Sequence, residues 1–249
     1  QFINWLNDLI WSPVFIALCI AVGLYFTFKT RFLQVRYIKD MTTLLFKEGS
    51  NDKGVSPFQA FSIAIAGRVG TGNIAGVATA IGIGGPGAVF WMWVIAFFGS
   101  ATAFIEATLG QIYKVEKNGE YRGGPAYYIE KGLGKKWYAV TFAIATMVAC
   151  VFFLPGVQSN SIADSMYNAF HIDKIWIGVA VAMALGIIVI GGAKRIGRFS
   201  EIVVPFMAGA YILMAIVIVV LNIKEVPDVL GLIIRSAFGT DATFGGIVG

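Results

Sequence analysis

The segment GRVGTGNIAGVA, Gly67 to Ala78, sets glycines, a Thr, an Asn and an Arg inside what otherwise reads as a membrane-spanning helix. A bilayer core offers no water to unpaired N–H and C=O groups. A loosened polar backbone at that depth is therefore tolerated only where it is buried in protein or lines a cavity. The segment predicts an interrupted helix and, at the interruption, a binding site.

The rest of the chain supports a membrane setting. Of its 249 residues 57% are hydrophobic and 13% charged, and the mean hydropathy is +0.77. With ~20 apolar residues needed per crossing, six spans are expected, at about 12–29, 57–83, 86–113, 137–167, 174–193 and 199–221. A seventh is expected to open at Gly245-Gly246 and to be cut off at Gly249, so the chain reads as truncated. Gly85-Pro86-Gly87 predicts a tight corner joining the second and third spans as an antiparallel pair. Gly72 and Gly76 predict a small-residue packing face. Pro125 to Lys131 reads as a short surface helix, and Pro155-Gly156 is expected to bend the long fourth span.

The net charge of +5 needs no nucleic acid or other anionic partner, because its distribution explains it. Lys29, Arg31, Arg36, Lys39, Lys47 and Lys53 follow the first span. Lys114, Lys117, Arg122, Lys131, Lys135 and Lys136 follow the third, and Lys194, Arg195 and Arg198 occupy the turn after the fifth. Only Lys174, Lys224 and Arg235 lie on the other side, and Arg68 lies within a span. Basic residues favour the cytoplasmic face, which places the N-terminus outside. The first span lacks a basic leader and a clear small-residue cleavage site, so it reads as a retained helix. Cys19 and Cys150 fall inside spans and read as free thiols. No phosphate-binding loop, catalytic carboxylate pair or nucleophile triad occurs, which argues against an enzyme, and no cofactor or resident metal is expected.

At the interruption, carbonyls of Ala66 and Val69 are candidates to coordinate a hard cation such as Na⁺. Amides of Thr71 and Gly72 are candidates to hold a carboxylate at the positive end of the following half-helix. The Asn73 side chain is able to ligate a cation or accept from an ammonium, and Gln158, in PGVQSN, both donates and accepts, which suits a zwitterion. A glycine-rich helix-packing face with a satisfied Asn remains the bland alternative. Arg68 has to face a cavity or a partner. Glu106, the only acid well inside a span, is a candidate counter-charge and the residue through which proton coupling would run.

The stretch Gly67 to Gly99 resembles the sodium:alanine symporters, also called alanine or glycine:cation symporters, whose signature is matched at Gly84 to Gly99. The runs GGPAYYIEKGLG, Gly123 to Gly134, and PGVQSNSIAD are similar to later segments of that family. The resemblance implies an all-α, polytopic membrane protein with the five-plus-five inverted repeat of leucine-type transporters, in the amino acid-polyamine-organocation superfamily. This chain would be its first half, with one leading extra helix. Residues 1–56 would hold that helix and a cytoplasmic connection, 57–221 the first repeat, and 222–249 an external connection and the start of the second repeat at TFGGIVG. By the same resemblance Ala66, Val69 and Asn73 would serve Na⁺, while Thr71, Gly72, Asn73 and Gln158 would bind alanine or glycine. The partner helices would come from the remaining half of the same polypeptide.

Overall fold

The computed structural model describes Trp5, Leu9, Ile10 and residues 12–46, 55–117 and 120–239. Lys47, Lys53 and TFGGIVG lie outside the described residues. In chain order the helices are α1 (Pro13–Lys29), α2 (Leu33–Arg36), α3 (Ile38–Leu45), α4 (Pro57–Ala66), α5 (Ala75–Gly84) and α6 (Ala88–Ile112). A two-stranded antiparallel ribbon follows, β1 (Val115–Lys117) and β2 (Glu120–Arg122), with Glu116 opposite Tyr121. Then come α7 (Pro125–Leu133), α8 (Lys136–Val148), α9 (Leu154–Phe170), α10 (Lys174–Val189), α11 (Gly192–Leu221) and α12 (Val226–Ser236).

Among the described residues three helical stretches are long and apolar enough to cross a membrane: Ala88–Ile112, Lys136–Phe170 and Arg195–Leu221, with mean hydropathies of 1.9, 2.2 and 2.6. Three shorter apolar helices are α1, α4 and α10. The expected second span is thus two short helices around an opened segment. The ribbon corrects a purely helical reading: Val115 to Arg122 alternates polar residues too closely charged for a span and too short for a helix. The basic residues Lys194, Arg195 and Arg198 are also corrected in place, since they sit in the first turns of α11 rather than in a loop. Gly192, in a left-handed conformation at φ +71, starts that helix early.

The chain divides into two compact units, one made of residues 1–42, 74–108 and 215–249, the other of 43–73 and 109–214. In the first, α1 crosses α6 at Gly23, where a Cβ would come within 3.2 Å of Phe98. The buried Thr27 hydroxyl accepts from Gln34 Nε2 at 3.0 Å, and the same amide reaches the Phe97 carbonyl at 3.2 Å. Gly85, at φ +73, makes the corner before α6 with a backbone that side chains resist. Two residues on, Gly87 lies against the Ser236 backbone, and Trp91 Nε1 donates to the Ala237 carbonyl at 2.5 Å.

That last contact makes a stability prediction. A Cβ on Gly87 would stand 2.4 Å from the Ser236 carbonyl carbon, and backbone cannot swing aside as a side-chain tip does. Gly87→Ala is expected to cost about 1–3 kcal/mol as overpacking, read as a lower melting temperature in detergent; an unchanged value would refute the close contact.

In the second unit, α4 opens with a reciprocal cap: Ser56 Oγ accepts from Gln59 N and Gln59 Oε1 accepts from Ser56 N. Gln59 Nε2 then donates to Glu201 Oε2 of α11 at 2.8 Å, and Ile63 packs over Gly197. The ribbon closes on α6 and α7 where Gly123 approaches the Gly110 carbonyl and Gly132 meets Tyr113. Lys136 to Phe170 continues without a break, but not as a plain α-helix. Ala149–Phe153 forms a π-helical turn, closed by the Leu154 N–H on the Ala149 carbonyl. Proline lacks an N–H and its ring crowds the carbonyl four residues back; widening the turn before Pro155 accommodates both. The expected bend at Pro155-Gly156 is therefore a π turn that ends at it.

Candidate functional site

Helix α4 stops at Gly67, whose N–H still reaches the Ile63 carbonyl at 3.0 Å. Arg68 N and Val69 N both close on the Ile65 carbonyl, at 2.9 and 2.8 Å. The ladder then fails. Gly70 N donates to Asn73 Oδ1 at 2.9 Å, and Asn73 N donates back to the Gly70 carbonyl at 3.1 Å, so one side chain closes the single turn Thr71–Asn73. Thr71 N is taken by Gln158 Oε1 at 3.1 Å. Among the described residues, nothing donates to the carbonyls of Ala66, Gly67, Arg68 and Val69, and the Gly72 N–H has no acceptor. Bare backbone of this kind needs a ligand or water.

Gln158 reaches the opened segment from the first turns of α9. The π turn beneath it adds one residue to the helix, re-aiming everything above by about 100°. Gly70 lets it in: a Cβ there would stand 2.5 Å from Gln158 Nε2. The glycine is needed for this close approach and not for a left-handed backbone, since none of Gly67, Gly70 and Gly72 has a positive φ.

Ala66, Gly67, Arg68, Val69, Gly70, Gly72 and Asn73 share a cavity of about 650 Å³ with Leu154, Pro155, Gln158, Ser159 and Ile162 of the α9 region and with Val181 and Leu185 of α10. Of the residues expected at the site, Ala66, Val69, Gly72, Asn73 and Gln158 line this cavity, while Thr71 does not and its amide is already engaged. The backbone donor left for an anion is Gly72 N–H, in a cavity that Gln158 and Arg68 also line. Arg68 lies at the same cavity and folds back, Nη1 donating to the Ala64 carbonyl at 3.2 Å. Within its own unit it makes no ion pair among the described residues. The apolar wall of Ile162, Val181 and Leu185 and the role of Gly70 escaped the sequence reading. Residues as far apart in sequence as Thr71 and Gln158, at a separation of 87, leave no local signal, although a glycine just ahead of TGN was the available clue.

Open space surrounds Gly72, with nothing within 4 Å of a Cβ placed on it. The same holds at Gly76. Gly72→Leu should consequently fold as the parent does and fill the cavity instead. Its expected outcome is a melting temperature within a degree or two of the parent; a fall of many degrees would show that the space beside Gly72 is already filled.

The sequence of this chain matches the sodium:alanine symporter family over residues 1–249. It is 56% identical over its whole length to YrbD of Bacillus subtilis, named as a candidate sodium/proton-dependent alanine carrier, and covers 51% of that protein. It is 46% identical over 98% of its length to GlnT of the same organism, named as a candidate sodium/glutamine symporter, of which it covers 51%. Over 80% of its length it is 48% identical to the sodium/proton-dependent alanine carrier protein of Bacillus sp. PS3, covering 45% of it. The chain spans about half the length of the curated relatives it matches.

Proposed function

We propose, since the chain belongs to the sodium:alanine symporter family, that it supplies one half of the site at which a small neutral amino acid and Na⁺ are carried together. The family is one of membrane symporters and not of enzymes, and the long apolar helices suit that setting. The observation that carries the reading is the opened backbone at 66–73. Its free carbonyls and one free amide belong to residues that line the same cavity as Gln158.

Within this reading the carbonyls of Ala66 and Val69, with Asn73 Oδ1, meet Na⁺, since hard cations take oxygen ligands. Gly72 N–H and the Gln158 amide meet the substrate carboxylate, where the positive end of a restarting helix adds to the attraction. Thr71 contributes indirectly, by fixing Gln158. Alanine and glycine are the preferred substrates: the Ile162, Val181 and Leu185 wall offers apolar contact and few partners for a longer polar side chain. Residues 57–221 form the first of two inverted five-helix repeats, preceded by α1 with its N-terminus outside, and the rest of the site comes from the second repeat. Transport then follows from rocking of one repeat against the other around a midplane site.

Two relatives are named for both sodium and protons, which keeps a proton-driven reading through Glu106 in play. Uptake of labelled alanine by proteoliposomes of the full-length protein separates the two. Replacing external Na⁺ by choline is expected to abolish uptake, and full uptake in choline with a proton gradient would overturn the sodium assignment. Competition by glycine but not by glutamine is expected in the same assay.

A further inference from the structure

We propose that the end of α1 carries a binding site for the phosphate headgroup of an anionic membrane lipid. After Lys29 the chain turns on Arg31 and Phe32, two consecutive non-glycine residues in the left-handed region at φ 55 and 54. The turn is pinned on both sides. Thr30 Oγ1 donates to the Phe26 carbonyl at 2.7 Å, Leu33 is buried, and Gln34 Nε2 donates to Thr27 Oγ1 and to the Phe97 carbonyl. The result is a cavity of about 380 Å³ bordered by Lys29, Arg31 and Arg36, with Tyr37 and Phe104 of α6 as its aromatic sides.

The three cations converge on this cavity, yet none has an acidic partner among the described residues. Arg36 is held in place by a neutral group: its guanidinium lies 4.6 Å from the Tyr37 ring centre, and Nη2 donates to the Tyr37 hydroxyl at 2.9 Å. The nearest acid in sequence, Asp40 on α3, does not border the cavity. Three converging cations repel one another, and a positively charged topology signal needs no such concavity. Placing them around one hollow at the end of an apolar helix suits a phosphate, which accepts from Arg in bidentate fashion. The end of a membrane span is where the phosphates of lipids lie, and basic pockets between helices there take anionic headgroups. The exposed Tyr37 and the Phe104 ring offer the apolar contact that the glycerol and first methylenes require.

The test uses the full-length protein purified in neutral detergent. Phosphatidylglycerol or phosphatidylcholine is added at equal mole fraction, and bound lipid is counted by native mass spectrometry alongside the melting temperature. Wild type is expected to retain phosphatidylglycerol over phosphatidylcholine and to gain several degrees from it. Each cation removed should weaken that retention roughly fivefold, so K29Q/R31Q/R36Q should lose the preference while melting as wild type does in phosphatidylcholine. Arg36→Gln alone, which leaves both ends of the turn intact, provides the same reading if the triple variant is unstable. Unchanged preference for phosphatidylglycerol in either variant would overturn the site. Stabilisation by millimolar inorganic phosphate equal to that by the lipid would also overturn it, because the pocket would then hold free phosphate.

Discussion

In the full-length protein Gly70→Ala is expected to cut alanine uptake at least tenfold while lowering the melting temperature by only a few degrees. The two effects separate because of what the new methyl meets. It would stand 2.5 Å from Gln158 Nε2, the tip of a flexible side chain, which can rotate away at little cost to folding. Once it does, Thr71 N loses its acceptor and the Gln158 amide leaves the cavity. Loss of one neutral hydrogen bond is worth about 0.5–1.5 kcal/mol; on the proposed function the displaced amide would take a substrate contact with it. Gly70→Ala and Gln158→Ala should then be strongly non-additive, the double variant transporting about as poorly as either single one. Additive losses would mean that Gly70 acts on something other than Gln158.

Asn73→Ala is expected to weaken Na⁺ and alanine binding together, each by about tenfold or more. Asn73 Oδ1 accepts from the Gly70 N–H, and the Asn73 N–H returns the bond, so the side chain closes the turn that orients the backbone on either side. Removing it leaves a polar N–H unpaired, which costs about 1–3 kcal/mol where water is scarce. The carbonyls of Ala66 and Val69 and the amide of Gly72 then lose their fixed directions at once. Isothermal titration of each ligand in a saturating amount of the other checks this. Loss of Na⁺ affinity alone would place Asn73 at the cation and away from the turn; two unchanged affinities would remove it from the site.

The opened helix was readable from GRVGTGN because glycines and an Asn are expensive in a bilayer unless backbone groups there have work. The opened residues, between a helix that ends at Ala66 and one that starts at Ala75, fall inside the expected segment. Pro125–Leu133 likewise follows its proline start and its left-handed Gly134 stop. What could not be read was which group meets which. Thr71 and Gly72 offer identical amides in the sequence; only the reach of Gln158 across 87 positions decides that one is occupied and the other free. The proline of α9 announces a disturbed helix, but a π turn and a kink satisfy it equally well, and the choice depends on packing. The lysines and arginines after α1 are legible as charge, whereas their convergence depends on a left-handed turn at Arg31 and Phe32 that the residue types do not favour.

On the proposed function the opened segment recognises a cation and an amino acid in one coupled event. Binding of L-alanine to the purified full-length protein, titrated calorimetrically with and without Na⁺, tests it most directly. Binding that appears only when Na⁺ is present, and that disappears in Gly72→Leu, is the predicted result. Equally tight alanine binding in sodium-free buffer would contradict it.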